Sequence, residues 1–83
     1  MLGPGVVEID VHGMTKHQAR VRLDSQLRRA GPGVYRLRVI HGYRGGTELR
    51  DMIREEYGKN HPQVLRAAHT MNPGETELVL REY

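Results

Sequence analysis

Apolar and polar residues alternate over Val6-Val7-Glu8-Ile9-Asp10-Val11-His12, with Val7, Ile9 and Val11 on one side and Glu8, Asp10 and His12 on the other. Period two marks a half-buried strand. Thr15 and Gln18 then stand in the T-x-x-Q capping-box relation, which starts a helix. Ala19, Leu23, Leu27 and Ala30 follow at helical spacing, and Gly31-Pro32-Gly33 stops it. Val34–Ile40 alternates again, with Tyr35, Leu37 and Val39 on one face and Arg36 and Arg38 on the other. After His41-Gly42-Tyr43-Arg44-Gly45-Gly46, helical spacing of Leu49, Met52, Ile53 and Tyr57 predicts a second helix over Thr47–Gly58, ended near Pro62. Val64–Met71 and Thr76–Glu82 read as strands around an Asn-Pro-Gly turn, the last with Leu78 and Leu80 inward.

The predicted order is therefore βαβαββ. Each helix has one apolar stripe, so both cover the same face of one sheet. With right-handed crossovers, strands 1 and 2 are neighbours and strand 3 lies further along. The last strand returns antiparallel and fills the gap. The expected fold class is α/β, a two-layer α+β sandwich with a four-stranded mixed sheet in the order 1-2-4-3. Residues 1–5 read as a Gly/Pro lead-in, and residues 6–83 as a single domain. The open face of the sheet carries Glu8, Asp10, His12, Arg36, Arg38, Glu77 and Arg81.

Composition narrows the chemistry. Eighty-three residues suffice for one core. The absence of cysteine excludes a disulfide scaffold and a thiol nucleophile. No apolar run approaches the ~18 residues of a membrane span, and no basic-then-apolar leader is present, so the expected location is cytoplasmic with no membrane partner. Thirteen Lys and Arg against ten Asp and Glu give a net charge of +3, and eleven of the thirteen are Arg. An Arg fork suits phosphate, but a surplus of three charges does not by itself establish a polyanion partner.

Position adds what composition lacks. Strands 1 and 2 are parallel, so His12 and His41 end at the same sheet edge, where ligands of open α/β sheets bind. The glycine loop lies there too, with Arg44 as a phosphate fork. Asp10, two residues before His12, shares its face. Gly42, Tyr43, Arg44, Gly45, Gly46 and Thr47 are candidate phosphate ligands, with Arg36 and Arg38 nearby on the open face. Tyr43 either stacks on a base or covers the loop. The loop lacks the Gly-Lys-Ser/Thr ending of a P-loop, which disfavours nucleotide hydrolysis. His17, His61 and His69 sit in unremarkable contexts, and the spacing of Tyr57 from Ile53 makes it core.

Ile9-Asp10-Val11-His12-Gly13-Met14-Thr15 followed by His41-Gly42-Tyr43-Arg44-Gly45-Gly46-Thr47-Glu48-Leu49-Arg50 and His61-Pro62 resembles the Smr (small MutS-related) domain over about residues 6–83. That family has an L-D-x-H-G motif after its first strand and an H-G-x-G-type loop before its second helix. Ile9 stands here in place of Leu, and the glycines of the loop are spaced differently. The resemblance implies a two-layer fold like the C-terminal domain of a translation initiation factor, nucleic-acid binding, and endonuclease or nicking activity. Carried over by position, Asp10 and His12 match the first motif and His41, Gly42, Gly45 and Gly46 the second.

Chemically, Asp10, His12 and His41 suit general acid–base cleavage of RNA by its own 2′-hydroxyl, which requires no metal. The same three residues holding Mg or Mn to activate water are the second route. The expected partner is nucleic acid, RNA or DNA with RNA slightly preferred, within a larger nucleic-acid-processing or ribosome-associated complex. The competing readings are a non-catalytic nucleic-acid-binding module and a protein-interaction domain with a basic face.

Overall fold

A computed structural model describes residues 4–82. Strands β1 (Val6–Asp10), β2 (Arg36–Ile40), β3 (Arg66–His69) and β4 (Glu75–Val79) form one sheet in the order β1-β2-β4-β3. β1 and β2 are parallel, and β4 is antiparallel to both its neighbours, as the pattern predicted. Helix α1 (Lys16–Arg29) and helix α2 (Glu48–Met52) cover one face. Among the described residues no helix is long and apolar enough to cross a membrane. The lead-in expected over residues 1–5 ends sooner: Gly5 is tied to β2, its carbonyl accepting from Tyr35 N at 2.9 Å and Arg36 N at 3.1 Å. Residues 1–3 and 83 lie outside the described residues.

The capping box forms as the sequence requires. Thr15 Oγ1 accepts from Gln18 N at 3.1 Å, and Gln18 Oε1 accepts from Thr15 N at 3.0 Å. Together these bonds satisfy two of the donors a helix start leaves unpaired. Ala19, Leu23 and Leu27, spaced four apart, are buried and meet Ile9, Val11, Leu37, Val39 and Leu78 from the sheet.

The second helix departs from the expected single run. After Met52 it widens into a π-helical segment over Ile53–Tyr57, closed by a five-residue bond from Gly58 N to Ile53 O at 3.0 Å. Gly58 is required there, because a methyl on it would lie 2.5 Å from Arg54 O and 2.8 Å from Ala67 Cβ. Ile53 and Tyr57 enter the core. The Tyr57 hydroxyl donates to Asp24 at 2.8 Å, while Arg20 grips Glu56 with two bonds of 2.8 and 2.7 Å, locking the two helices together.

On the open face, Glu77 faces away from the helices yet is only 8% exposed. Arg36 donates to it at 2.8 Å and Arg38 at 3.1 Å. Burial raises its pKa, and the two guanidinium groups outweigh that and hold the carboxyl below its ordinary value. Arg36 and Arg38 are thus drawn onto Glu77 on the sheet face.

Candidate nucleic-acid site

The parallel register pairs Asp10 with Ile40, so β1 and β2 end level and release their next residues at one edge. Val11 is fully buried and anchors the exit of β1, leaving Asp10 and His12 outward on either side of it. Asp10 Oδ1 accepts from His12 N at 3.0 Å and meets His12 Nδ1 at 2.5 Å. The first of these is an Asx-type turn, so the D-x-H spacing itself builds the pair. The hydrogen bonds from the His12 side chain and backbone lower the Asp10 pKa. An ionised carboxylate only accepts, so Nδ1 carries a proton, and a neutral ring held this way presents its lone pair at Nε2. Nε2 has no partner among the described residues.

A cleft of about 590 Å³ opens beside this pair. His12 lines it, and Asp10, bonded to His12, is not part of the lining. Gly42, Tyr43, Arg44, Gly45 and Gly46 form the loop wall; Met14 and Leu49 supply apolar floor, and Glu48 is an acidic side chain at the lining. Gly42 has φ +76° and Gly46 φ +108°, conformations open to glycine at little cost. A methyl on Gly42 would stand 3.6 Å from His12 Cβ, so the loop and the Asp10–His12 pair are contiguous. Arg44 has no ion pair among the described residues, and Tyr43 is 54% exposed. Thr47 donates its hydroxyl to Asp51 at 2.9 Å and is not part of the lining.

His41 lines the cleft but is buried, at 5% exposure. Its Nδ1 donates to Gly42 O at 2.7 Å, and its Nε2 accepts from Thr76 Oγ1 at 2.9 Å. Thr76 Oγ1 in turn accepts from Arg54 Nε at 3.3 Å. Burial lowers the pKa of His41, with the charges of Arg54 and Arg50 adding to the effect against the Gly42 carbonyl. His41 is therefore a neutral ring with both nitrogens engaged. Among the described residues no group of three or more His, Asp or Glu gathers to hold a metal ion. The trio of Asp10, His12 and His41 does not fit a divalent cation, since His41 has no free lone pair to offer.

Several members of the site are not visible as such in the sequence. The β3–β4 turn reaches the loop, where Gly74 O accepts from His41 N at 2.9 Å and Gly42 N at 3.0 Å. Thr76 and Arg54 brace the same point from β4 and the π-helical segment. The Asn72-Pro73-Gly74 signal predicts a turn there, and the strand order places that turn beside the end of β2, but the side-chain network carries no local signature.

The Smr domain family model matches residues 9–77. The crystal structure of the Smr domain of Thermus thermophilus MutS2 is similar, with a TM-score of 0.78 and 32% identity, covering 92% of this chain and 99% of that one. A comparison with curated protein sequences gives no match. The chain belongs to the Smr domain family, known for nucleic-acid binding and nicking.

Proposed function

We propose that this domain is an endonuclease that cleaves RNA at the cleft, with His12 as the proton-transfer group and Asp10 as its positioning partner. The observation that carries the reading is the Asp10–His12 pair at 2.5 Å, which leaves His12 Nε2 unpartnered beside a glycine loop bearing an unpaired Arg44. His12 Nε2 takes the proton from a ribose 2′-hydroxyl. The oxygen attacks the adjacent phosphorus, the bond to the 5′-oxygen breaks, and that oxygen leaves with a proton from water. The products are a 2′,3′-cyclic phosphate and a 5′-hydroxyl end. Asp10 stabilises the imidazolium through Nδ1–H, and Arg44 with the loop amides offsets charge developing on the phosphate. A positioned base of this kind contributes about 10²–10⁴ in rate.

His41 serves in this scheme as a brace for the loop. Amides and an Arg fork fit phosphate, which carries no sequence information. Target choice then falls to RNA structure or to a larger complex that delivers the domain. The test is incubation of wild type, His12→Ala and Asp10→Asn with structured RNA, single-stranded RNA and supercoiled DNA in the presence of chelator. Cleavage of RNA by wild type, leaving cyclic phosphate ends, weakened in Asp10→Asn and lost in His12→Ala, is expected. Binding without cleavage of any of the three makes the domain a binding module and overturns the reading. Ends bearing a 3′-hydroxyl and a 5′-phosphate overturn the 2′-hydroxyl route.

A further inference from the structure

A second groove opens off the cleft. Met14 belongs to the lining of both, and from it a depression of about 520 Å³ follows the outer flank of α1. Gln18, Arg22, Ser25 and Arg29 line it and recur at steps of four, three and four, which makes them one stripe of the helix. Val21 lies alongside, 55% exposed. Among the described residues no acidic side chain lines this groove. Arg22 and Arg29 have no ion pair there, whereas Arg20, off the groove, is held by Glu56. The groove leads to the cleft that His12 lines, because Met14 forms part of both.

We propose that this flank of α1 carries the single RNA strand leaving the cleft, with Arg22 and Arg29 gripping two of its phosphates. The inference rests on the reading of the cleft as an RNA site. Charge selects the partner, since the groove presents two uncompensated guanidinium forks and hydrogen-bonding side chains with no carboxylate to repel phosphate. Seven residues of helix separate the two forks by about 10 Å along the axis, which suits two phosphates of an extended strand. Ser25 both donates and accepts and can take a 2′-hydroxyl, which an Arg cannot do alone, while Gln18, its Oε1 held by Thr15 N, offers its amide N–H groups. The exposed Val21 and the shared Met14 give sugars an apolar surface.

The test is the affinity of a labelled RNA dodecamer in a His12→Ala background, which keeps the RNA intact. Arg22→Gln/Arg29→Gln is compared with Arg28→Gln, an exposed last-turn arginine outside the groove. Each phosphate contact on a single strand contributes about 0.7 to the log–log salt slope, so the double variant flattens the slope by about 1.4 and binds roughly 25-fold more weakly at about 0.1 M salt. Arg28→Gln and a trinucleotide too short to leave the cleft show no such loss. Unchanged binding by the double variant, or an equal loss in Arg28→Gln, overturns the groove while the cleft reading stands. A DNA dodecamer bound as tightly as RNA, with the same loss, overturns the assignment to RNA. Absence of nucleic-acid binding in the parent defeats the cleft reading itself.

Discussion

Thr76→Val removes one hydroxyl from the network behind the glycine loop and leaves its shape nearly unchanged. Thr76 is fully buried, so Val opens no cavity. What is lost is the donor to His41 Nε2 at 2.9 Å and the acceptor for Arg54 Nε at 3.3 Å. An unsatisfied buried nitrogen costs about 1–3 kcal/mol. For a domain of this size each kcal/mol lowers the melting temperature by about 4–8 °C, so a fall of about 5–20 °C is expected in calorimetry or circular dichroism at neutral pH. The same network predicts a pH dependence. Burial holds the folded pKa of His41 below the ordinary 6.5. As pH falls through that value the unfolded ring takes up a proton that the folded ring resists, so the unfolded state binds more protons and stability is lost. His41→Leu lacks this contribution while keeping the other four histidines, so the stability gap between wild type and His41→Leu narrows from about pH 7.5 to about pH 5. A Thr76→Val melting temperature within about 2 °C of wild type, or a gap independent of pH, would refute the reasoning.

Three further predictions separate chemistry from stability. Asp10→Asn lets an amide donate to His12 Nδ1, which moves the ring proton to Nε2 and removes the base. Because the pair is half-exposed, single-turnover RNA cleavage falls about 10–100-fold, less than in a buried triad, while the melting temperature stays near wild type. Gly42→Ala forces a side chain to φ +76°, at a cost of about 1–2 kcal/mol; a loss of both stability and cleavage is expected, and full activity would detach the loop from the site. Glu77→Gln leaves Arg36 and Arg38 without their shared carboxylate and lowers stability by about 1–2 kcal/mol. RNA affinity measured by anisotropy stays unchanged, because neither arginine lines the cleft or the α1 groove; a rise would place the open sheet face in the binding surface.

The strand order and both helices were legible because each apolar stripe has one period and one place to be buried. The Asp10–His12 pair was legible for a local reason: an Asp two residues before a His at a strand end closes its own Asx turn. His41 was not legible in the same way. Its position at the edge of β2 follows from the pattern, but its burial depends on Thr76, thirty-five residues away, and on Arg54, which reaches Thr76 from a π-helical segment. Helical periodicity over 47–58 gave no warning of that segment. The spacing of Ile53 and Tyr57 satisfies either winding, and Gly58 reveals its constraint only once Ala67 is beside it.

The charge follows the same division. Local pattern placed Arg36 and Arg38 on the open face, near enough to the site to suggest a role there, yet Glu77 from β4 claims both. Arg44 has no such claimant among the described residues, nor have Arg22 and Arg29, which in the sequence are only the polar side of an amphipathic helix. A net charge of +3 is therefore a poor guide to where a polyanion would bind, because ion pairs consume cations unevenly. Three of the arginines without an ion pair among the described residues, Arg44, Arg22 and Arg29, lie along one path from the glycine loop across Met14 to the end of α1, while Arg28, Arg54 and Arg81 lie off it. That arrangement, more than the surplus of basic residues, gives the domain a direction in which to hold a strand.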